Sequence, residues 1–68
     1  MNNIAEIRTK KGMTQTELAN ACGVTQKMIS AMENDRRNPS YELLIRLSKA
    51  LGVTADEVIG GAYDEGRI

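Results

Sequence analysis

Residues 23–34, GVTQKMISAMEN, indicate a glycine-containing turn followed by a short amphipathic helix, and this stretch decides the fold. At about 100° per residue, Ile29 and Met32 lie about 60° apart on one side of that helix. The opposite side carries small or hydrogen-bonding side chains at the i, i+3, i+4, i+7 spacing, namely Lys27, Ser30, Ala31 and Asn34. Such a face would let the helix lie deep in a groove.

A second short helix is predicted directly before this turn, at residues 15–22. Only Gly23, Val24 and Thr25 separate it from the helix at 26–34. A turn of three or four residues with a glycine between two short helices is typical of a helix-turn-helix. The glycine suits a positive φ at a helix end, the valine is expected to point inward, and the threonine is expected to cap the next helix.

Capping residues mark the ends of the other helices. Thr14 is followed three residues later by Glu17, and Thr54 by Glu57, so both pairs are capping boxes. Ser40 can cap a further helix. Glycines typical of helix ends follow the apolar-periodic stretches, at Gly12, Gly23, Gly52 and Gly60–Gly61.

The sequence therefore predicts an all-α fold, a compact bundle of five helices with short connections. The predicted helices span about residues 3–11, 15–22, 26–34, 41–51 and 55–59. Their predicted inner faces carry Ile4, Ile7, Leu18, Ala19, Cys22, Ile29, Met32, Leu43, Leu44, Leu47, Leu51, Val58 and Ile59.

Composition excludes most chemistry. The 68 residues contain no His and one Cys, so we expect no disulfide, no metal site, no cofactor and no enzymatic activity. The lone Cys22 fits a small buried apolar residue better than a redox sensor. No apolar run approaches the roughly 18 residues of a membrane span and no signal peptide is recognisable, so we expect a cytoplasmic protein with no membrane partner.

Charge is distributed unevenly along a chain whose net charge is zero. Residues 1–49 hold eight Lys and Arg against five Asp and Glu, whereas residues 50–68 hold one Arg against four acids. The front part is therefore basic by +3 and the end acidic by −3. This asymmetry favours a polyanionic partner for the front of the chain.

Residues 7–34, IRTKKGMTQTELANACGVTQKMISAMEN, resemble the phage-repressor and Cro type of helix-turn-helix, the XRE family. The pattern T-Q-x-x-L-A-x-x-x-G-V-T-x-x-x-I-S-x-x-E-N is matched from Thr14 to Asn34, and the resemblance covers about residues 3–60. It implies a lambda-repressor-like bundle whose helices 2 and 3 form the motif. It also implies a bacterial or phage-encoded transcriptional regulator, and more specifically a repressor, that binds double-stranded DNA.

The resemblance also implies roles for individual residues. Base contacts fall on Gln26, Lys27, Ser30 and Ala31. Phosphate contacts fall on Gln15, Thr25, Asn34, Arg36, Arg37 and Asn38, with Gln15 also bracing Gln26. An ion pair joins Arg8 to Glu33, although Arg8 alternatively suits a phosphate.

Several of these assignments have structural alternatives. Gln26 and Lys27 could simply be solvated surface residues. Ser30 could instead bond the carbonyl four residues earlier in its own helix. Arg36 and Arg37 could form a solvated loop beside Asp35. Met28 is expected to pack or to lie at the rim of the reading surface, and Tyr41 either docks on phosphate or merely begins its helix.

The same resemblance implies a homodimer on a two-fold symmetric operator, with Val58, Ile59 and Tyr63 as interface candidates. Residues 1–60 form the predicted DNA-binding domain, and residues 61–68 a tail that is either flexible or part of the interface. An antitoxin that binds a protein toxin as well as DNA is the main alternative. An enzyme and an excised domain of a larger regulator are weaker alternatives.

Overall fold

A computed structural model describes residues 2–59. Five helices follow one another: α1 (Ile4–Lys10), α2 (Gln15–Cys22), α3 (Gln26–Glu33), α4 (Tyr41–Leu51) and α5 (Ala55–Ile59). No strand occurs between residues 2 and 59. The all-α bundle of five helices is therefore confirmed, with boundaries within one residue of those predicted.

Local capping explains where the two motif helices begin. The Thr14 hydroxyl accepts from the Glu17 amide at 3.0 Å, and the Glu17 carboxylate accepts from the Thr14 amide at 2.8 Å. Gly23 ends α2 with φ of 73°, a left-handed conformation that costs glycine nothing. The Thr25 hydroxyl then accepts from the Met28 amide at 3.2 Å and begins α3. The turn between the helices is thus fixed by local chemistry.

The core is aliphatic and lies between the helices. α2 packs against both α3 and α4, α4 packs against α5, and α1 contacts α3 and α5. The buried apolar side chains are Ile4, Leu18, Ala19, Cys22, Ile29, Met32, Leu43, Leu44, Leu47, Leu51 and Val58. Because helices of five to eleven residues are marginal alone, this shared core holds them in place.

The start of α1 is tied to the end of α5. The Asn3 amide donates to the Val58 carbonyl at 2.8 Å, and the Asn3 side chain donates to the Glu57 carbonyl at 3.1 Å. The bundle therefore closes on itself, so that the two ends of the described chain lie together.

Val58 corrects one sequence-based expectation. Its side chain is 0% exposed within the core, so it has no surface to offer a second copy of the chain, and its assignment to a dimer interface is wrong. Ile59 is half-buried and packs against the core, which leaves part of its surface available. Tyr63 and the 61–68 tail lie outside the described residues.

Candidate nucleic-acid interface

α3 is anchored on one side and open on the other. Ile29 and Met32 are both 0% exposed on its inner side. Gln26 and Lys27 are exposed in its first turn, while Ser30 and Ala31 are half-buried farther along its outer side. The core thus fixes the orientation of a helix whose outer face, as defined from the sequence, contacts solvent.

A surface depression of about 420 Å³ runs along this face. Its lining combines the first turns of α3 with the segment that follows the helix: Gln26, Lys27, Met28, Ser30, Ala31, Arg36 and Arg37. The residues predicted to read bases therefore share one concave surface with both arginines predicted to hold phosphates. Met28 is half-buried and also lines the depression, which fits a residue at its rim.

The chain reverses after α3 and brings the two arginines back to this surface. Asp35 takes a positive φ of 59°, which Asp tolerates better than most residues. The Arg36 amide then donates to the Ala31 carbonyl at 2.8 Å, closing the end of the helix. The turn thereby places Arg36 and Arg37 beside the outer face of α3.

Lys27, Arg36 and Arg37 give the depression its charge. All three are exposed, and none forms an ion pair within residues 2–59. Arg8 and Arg46, by contrast, each pair with a carboxylate. Three exposed positive charges around one concave surface suit an anionic partner such as a phosphate backbone.

A polar chain connects α1 to the first turn of α3. Arg8 Nε donates to Glu33 Oε2 at 2.6 Å, and Arg8 Nη2 donates to Glu33 Oε1 at 3.2 Å. Gln15 Nε2 also donates to Glu33 Oε1, at 2.8 Å. Gln26 Nε2 in turn donates to Gln15 Oε1. The structure therefore contains both the Arg8–Glu33 ion pair and the contact by which Gln15 braces Gln26.

The remaining phosphate candidates keep some hydrogen-bonding capacity. The Thr25 hydroxyl uses its oxygen to cap α3, which leaves its hydrogen available to an acceptor. Asn34 Nδ2 donates to the Ser30 carbonyl at 2.8 Å, so one amide hydrogen is engaged within its own helix. Asn38 is exposed. The contacts of these three residues with phosphate stay predictions.

The Ser30 hydroxyl makes no hydrogen bond to the carbonyl of Gln26 within the described part of the chain. The predicted alternative of a bond inside the helix is therefore not observed, and the hydroxyl stays available on the outer face. Tyr41 is 79% exposed at the start of α4, so its predicted roles, docking on phosphate or beginning the helix, both stay open.

Sequence reasoning missed one contact that fixes the end of α3. Asn2 Nδ2 donates to the Met32 carbonyl at 2.7 Å and to Asp35 Oδ1 at 3.0 Å. An asparagine amide thus satisfies a carbonyl at the helix end, where glycine or a basic residue is the usual sequence signal. No local pattern predicts a partner 30 residues away in sequence.

Cys22 lies in the core and not at the depression. Burial raises the pKa of its thiol above the usual 9.0, and the nearby Arg46 guanidinium opposes that shift. Arg46 Nη1 also donates to the Cys22 carbonyl at 3.3 Å.

Within residues 2–59 no cluster of His, Cys, Asp and Glu is arranged to hold a metal ion. Among these residues, too, no helix has the length and apolar character needed to span a membrane.

Comparison with known proteins gives consistent matches. The helix-turn-helix family model matches residues 4–58. An uncharacterized HTH-type transcriptional regulator of Sinorhizobium fredii is 40% identical over 58 residues, which are 85% of this chain and 75% of that protein. The crystal structure of a hypothetical transcription factor from Neisseria superposes with a TM-score of 0.79 and 31% identity, covering 96% of this chain and 75% of that one.

One relative is a repressor and another is an activator. The immunity repressor of Bacillus phage phi105 is 32% identical over 57 residues, and the chain spans 40% of that protein's length. The transcriptional activator BcrR of Enterococcus faecalis is 36% identical over 58 residues, and the chain spans 28% of it. The family match covers most of the chain and includes the whole α2–turn–α3 unit. The chain therefore belongs to the helix-turn-helix family of DNA-binding transcriptional regulators, the XRE type, whose members are not enzymes.

Proposed function

We propose that this chain binds double-stranded DNA in a sequence-specific manner and reads the major groove with the outer face of α3. The observation that carries the proposal is the shared depression, in which the first turn of α3 and Arg36–Arg37 line one positively charged concave surface. A major groove about 12 Å wide admits an α-helix. Helix-turn-helix proteins insert their second motif helix there, with its N-terminal residues against the base edges.

The first turn of α3 supplies the proposed base contacts. Gln26 suits adenine, which presents N6–H as a donor and N7 as an acceptor, and Lys27 suits the O6 and N7 acceptors of guanine. Ser30 has a hydroxyl available to either kind of base edge, and the Ala31 methyl suits contact with a thymine methyl. The small size of these last two side chains lets the helix approach the floor of the groove.

Phosphate contacts are proposed on both sides of α3. Gln15, Thr25 and Asn34 offer neutral donors, whereas Arg36 and Arg37, followed by the exposed Asn38, offer charged and neutral donors from the turn after the helix. Such contacts fix the register of the protein on DNA without reading its sequence. They also supply the affinity that falls as salt rises.

We propose that the functional unit is a cytoplasmic homodimer bound to a two-fold symmetric operator. The expected half-sites are about one helical turn, roughly 10 base pairs, apart. Ile59 is the described interface candidate that remains, because part of its surface is available. Similarity to a phage immunity repressor supports repression as the outcome, although an activator is among the relatives as well.

Selection of bound sites from a random DNA pool tests this proposal. We expect an enriched consensus with two-fold symmetry, and a reporter gene placed downstream of it should be repressed when the protein is produced. Failure to enrich any sequence at low salt would contradict sequence-specific binding. An enriched site without symmetry would contradict the homodimer, and increased reporter expression would contradict repression.

An antitoxin is the second candidate, with a toxin protein as partner. No contact or surface of the described residues favours it over a regulator acting alone. Purification from the native host tests it, because an antitoxin should be recovered in a stoichiometric complex with a second protein.

A further inference from the structure

In the polar chain from Glu33 through Gln15 to Gln26, each hydrogen bond has its acceptor on the Glu33 side and its donor on the Gln26 side. This donor–acceptor order bears on base recognition. We infer that Glu33, although it touches no DNA, fixes the orientation of the Gln26 amide so that it selects adenine against guanine. Glu33 is thus a positioning residue for specificity. This inference rests on the proposed function, since it concerns the base that Gln26 meets.

The Glu33 carboxylate sets this donor–acceptor order. Its side chain is only 6% exposed, and both carboxylate oxygens accept from Arg8, at 2.6 and 3.2 Å. An ionised carboxylate accepts hydrogen bonds and has none to donate. The Gln15 atom that lies 2.8 Å from Glu33 Oε1 must therefore be its NH₂ group.

The second step follows from the geometry of a planar amide. Because Gln15 turns its nitrogen toward Glu33, it turns its oxygen toward Gln26. That oxygen also accepts only, so Gln26 must meet it with its own NH₂ group, as the structure has it. Rotating the Gln15 amide by 180° would place its oxygen against a nearly buried carboxylate oxygen, where little water is available to separate the two acceptors.

The third step concerns what Gln26 has left to offer. One of its two amide hydrogens is engaged by Gln15, which leaves one donor and one acceptor on its exposed end. Adenine presents one acceptor and one donor in the major groove, which matches this pair. Guanine presents two acceptors, N7 and O6, so the Gln26 oxygen would face guanine O6 without a hydrogen between them.

Without the hydrogen bonds of the polar chain, Gln26 would no longer be restricted to offering one donor and one acceptor to the base. If Gln15 could donate to the Gln26 oxygen, Gln26 would turn both of its amide hydrogens toward the base, and guanine would then be accepted. The Glu33 carboxylate prevents this arrangement by preventing the rotation of Gln15. Discrimination between two purines at one base pair thus depends on a residue at the far end of α3.

Two substitutions interrupt the polar chain at different residues. Gln15→Met removes the middle member and leaves the Arg8–Glu33 pair intact. It also removes a proposed phosphate donor, so it should weaken binding to all sequences. Glu33→Gln replaces the acceptor-only group by an amide that can donate or accept. Because Glu33→Gln also weakens the Arg8–Glu33 ion pair, it should destabilise the fold. Val58→Ala is therefore the control, since it destabilises the fold but changes no residue of the polar chain.

The test measures the ratio of affinities for two duplexes of the selected operator that carry adenine or guanine at one position. That position is the one at which Gln26→Ala loses its base preference. For the original chain we expect adenine to be preferred by on the order of tenfold. In Gln15→Met and Glu33→Gln the ratio should fall to within about threefold of unity, whereas Val58→Ala should keep the original ratio.

The possible results separate the inference from the proposal beneath it. A pool selection with the original chain that enriches no site overturns the proposed function, and the base assignment with it. Enrichment followed by an unchanged adenine-to-guanine ratio in Gln15→Met overturns the inference alone. A loss of the ratio in Val58→Ala equal to that in Glu33→Gln would also overturn it, because the effect would then follow from destabilisation.

Discussion

Arg8 Nε lies 2.6 Å from Glu33 Oε2, and this ion pair joins α1 to the end of α3. The two side chains are 16% and 6% exposed, so the pair is largely shielded from water. Arg8 Nη1 also donates to the Met13 carbonyl at 2.8 Å, in the loop before α2. A single guanidinium therefore connects the first helix, the loop before α2 and the proposed reading helix.

Loss of this pair should destabilise the fold. Arg8→Gln leaves the nearly buried Glu33 carboxylate without its charged partner, and we expect the free energy of unfolding to fall by about 1.5–3 kcal/mol. Lys10→Gln removes a second cation of α1, whose 3.5 Å pair with Glu6 is exposed, and it should cost at most about 0.5 kcal/mol. Urea unfolding of both variants makes the comparison, and equal losses would contradict the structural role of Arg8.

Gln26 should control specificity more than affinity for DNA in general. Gln26→Ala is expected to weaken operator binding by about 1–3 kcal/mol while binding to random DNA is nearly unchanged. Lys27→Ala should likewise lose operator affinity, since both side chains extend from the first turn of α3. Titration of operator and random duplexes at one salt concentration measures both effects. Equal losses on the two duplexes would rule out base reading by these residues.

Arg36 and Arg37 should act on all sequences alike. Replacing either one by Ala is expected to weaken operator and random DNA equally and to reduce the slope of log K against log salt by about 1. Lys49→Ala is the matched control, because this exposed lysine of α4 does not line the depression and carries the same charge. A salt slope that changes as much in the control would show that only net charge matters.

Val58 and Ile59 should behave differently although they are neighbours. Val58→Ala creates a cavity in the core, so it is expected to cost about 1.5–3 kcal/mol of stability at every protein concentration. Ile59→Ser removes apolar surface that is half exposed, so it should shift the monomer–dimer equilibrium toward monomer. Sedimentation at several concentrations, combined with urea unfolding, separates the two effects. An unchanged dimer in Ile59→Ser would exclude this residue from the interface.

Cys22 should make stability depend on alkaline pH. Because burial raises the pKa of its thiol above 9.0, the folded chain holds this proton more tightly than the unfolded chain does. The resulting stabilisation is fully present below about pH 9 and is lost as pH rises through the folded pKa. Between pH 8 and pH 10 the original chain should therefore lose more stability than Cys22→Ala, as measured by urea unfolding. Identical losses would contradict a buried, protonated thiol.

The fold follows from local signals to a large extent. The Thr14–Glu17 capping box and the Gly23 turn involve residues within a few positions of each other, so their chemistry is readable without knowing the rest of the fold. Val58 shows where such reading fails. The pattern of a five-residue helix marks an apolar side, but it does not say whether that side meets the core or another subunit.

The candidate site is harder to predict because it is assembled from distant parts. The depression joins α3 to the segment after it through a turn at Asp35, whose carboxylate accepts a hydrogen bond from Asn2, a residue outside the motif. The bond from Asn2 to the Met32 carbonyl spans 30 residues and leaves no periodic trace. The residues predicted to contact DNA follow from the resemblance, whereas the order of donors and acceptors in the polar chain that ends at Gln26 depends on side-chain geometry.

The central claim is that the outer face of α3 contacts DNA. Nuclear magnetic resonance spectroscopy of the isotope-labelled protein bound to its selected operator tests this claim most directly. We predict contacts between the Gln26 and Lys27 side chains and base protons of the major groove, together with shifted backbone amides at Arg36 and Arg37. Shifts confined to the surfaces of α4 and α5, with the outer face of α3 unaffected, would contradict the account.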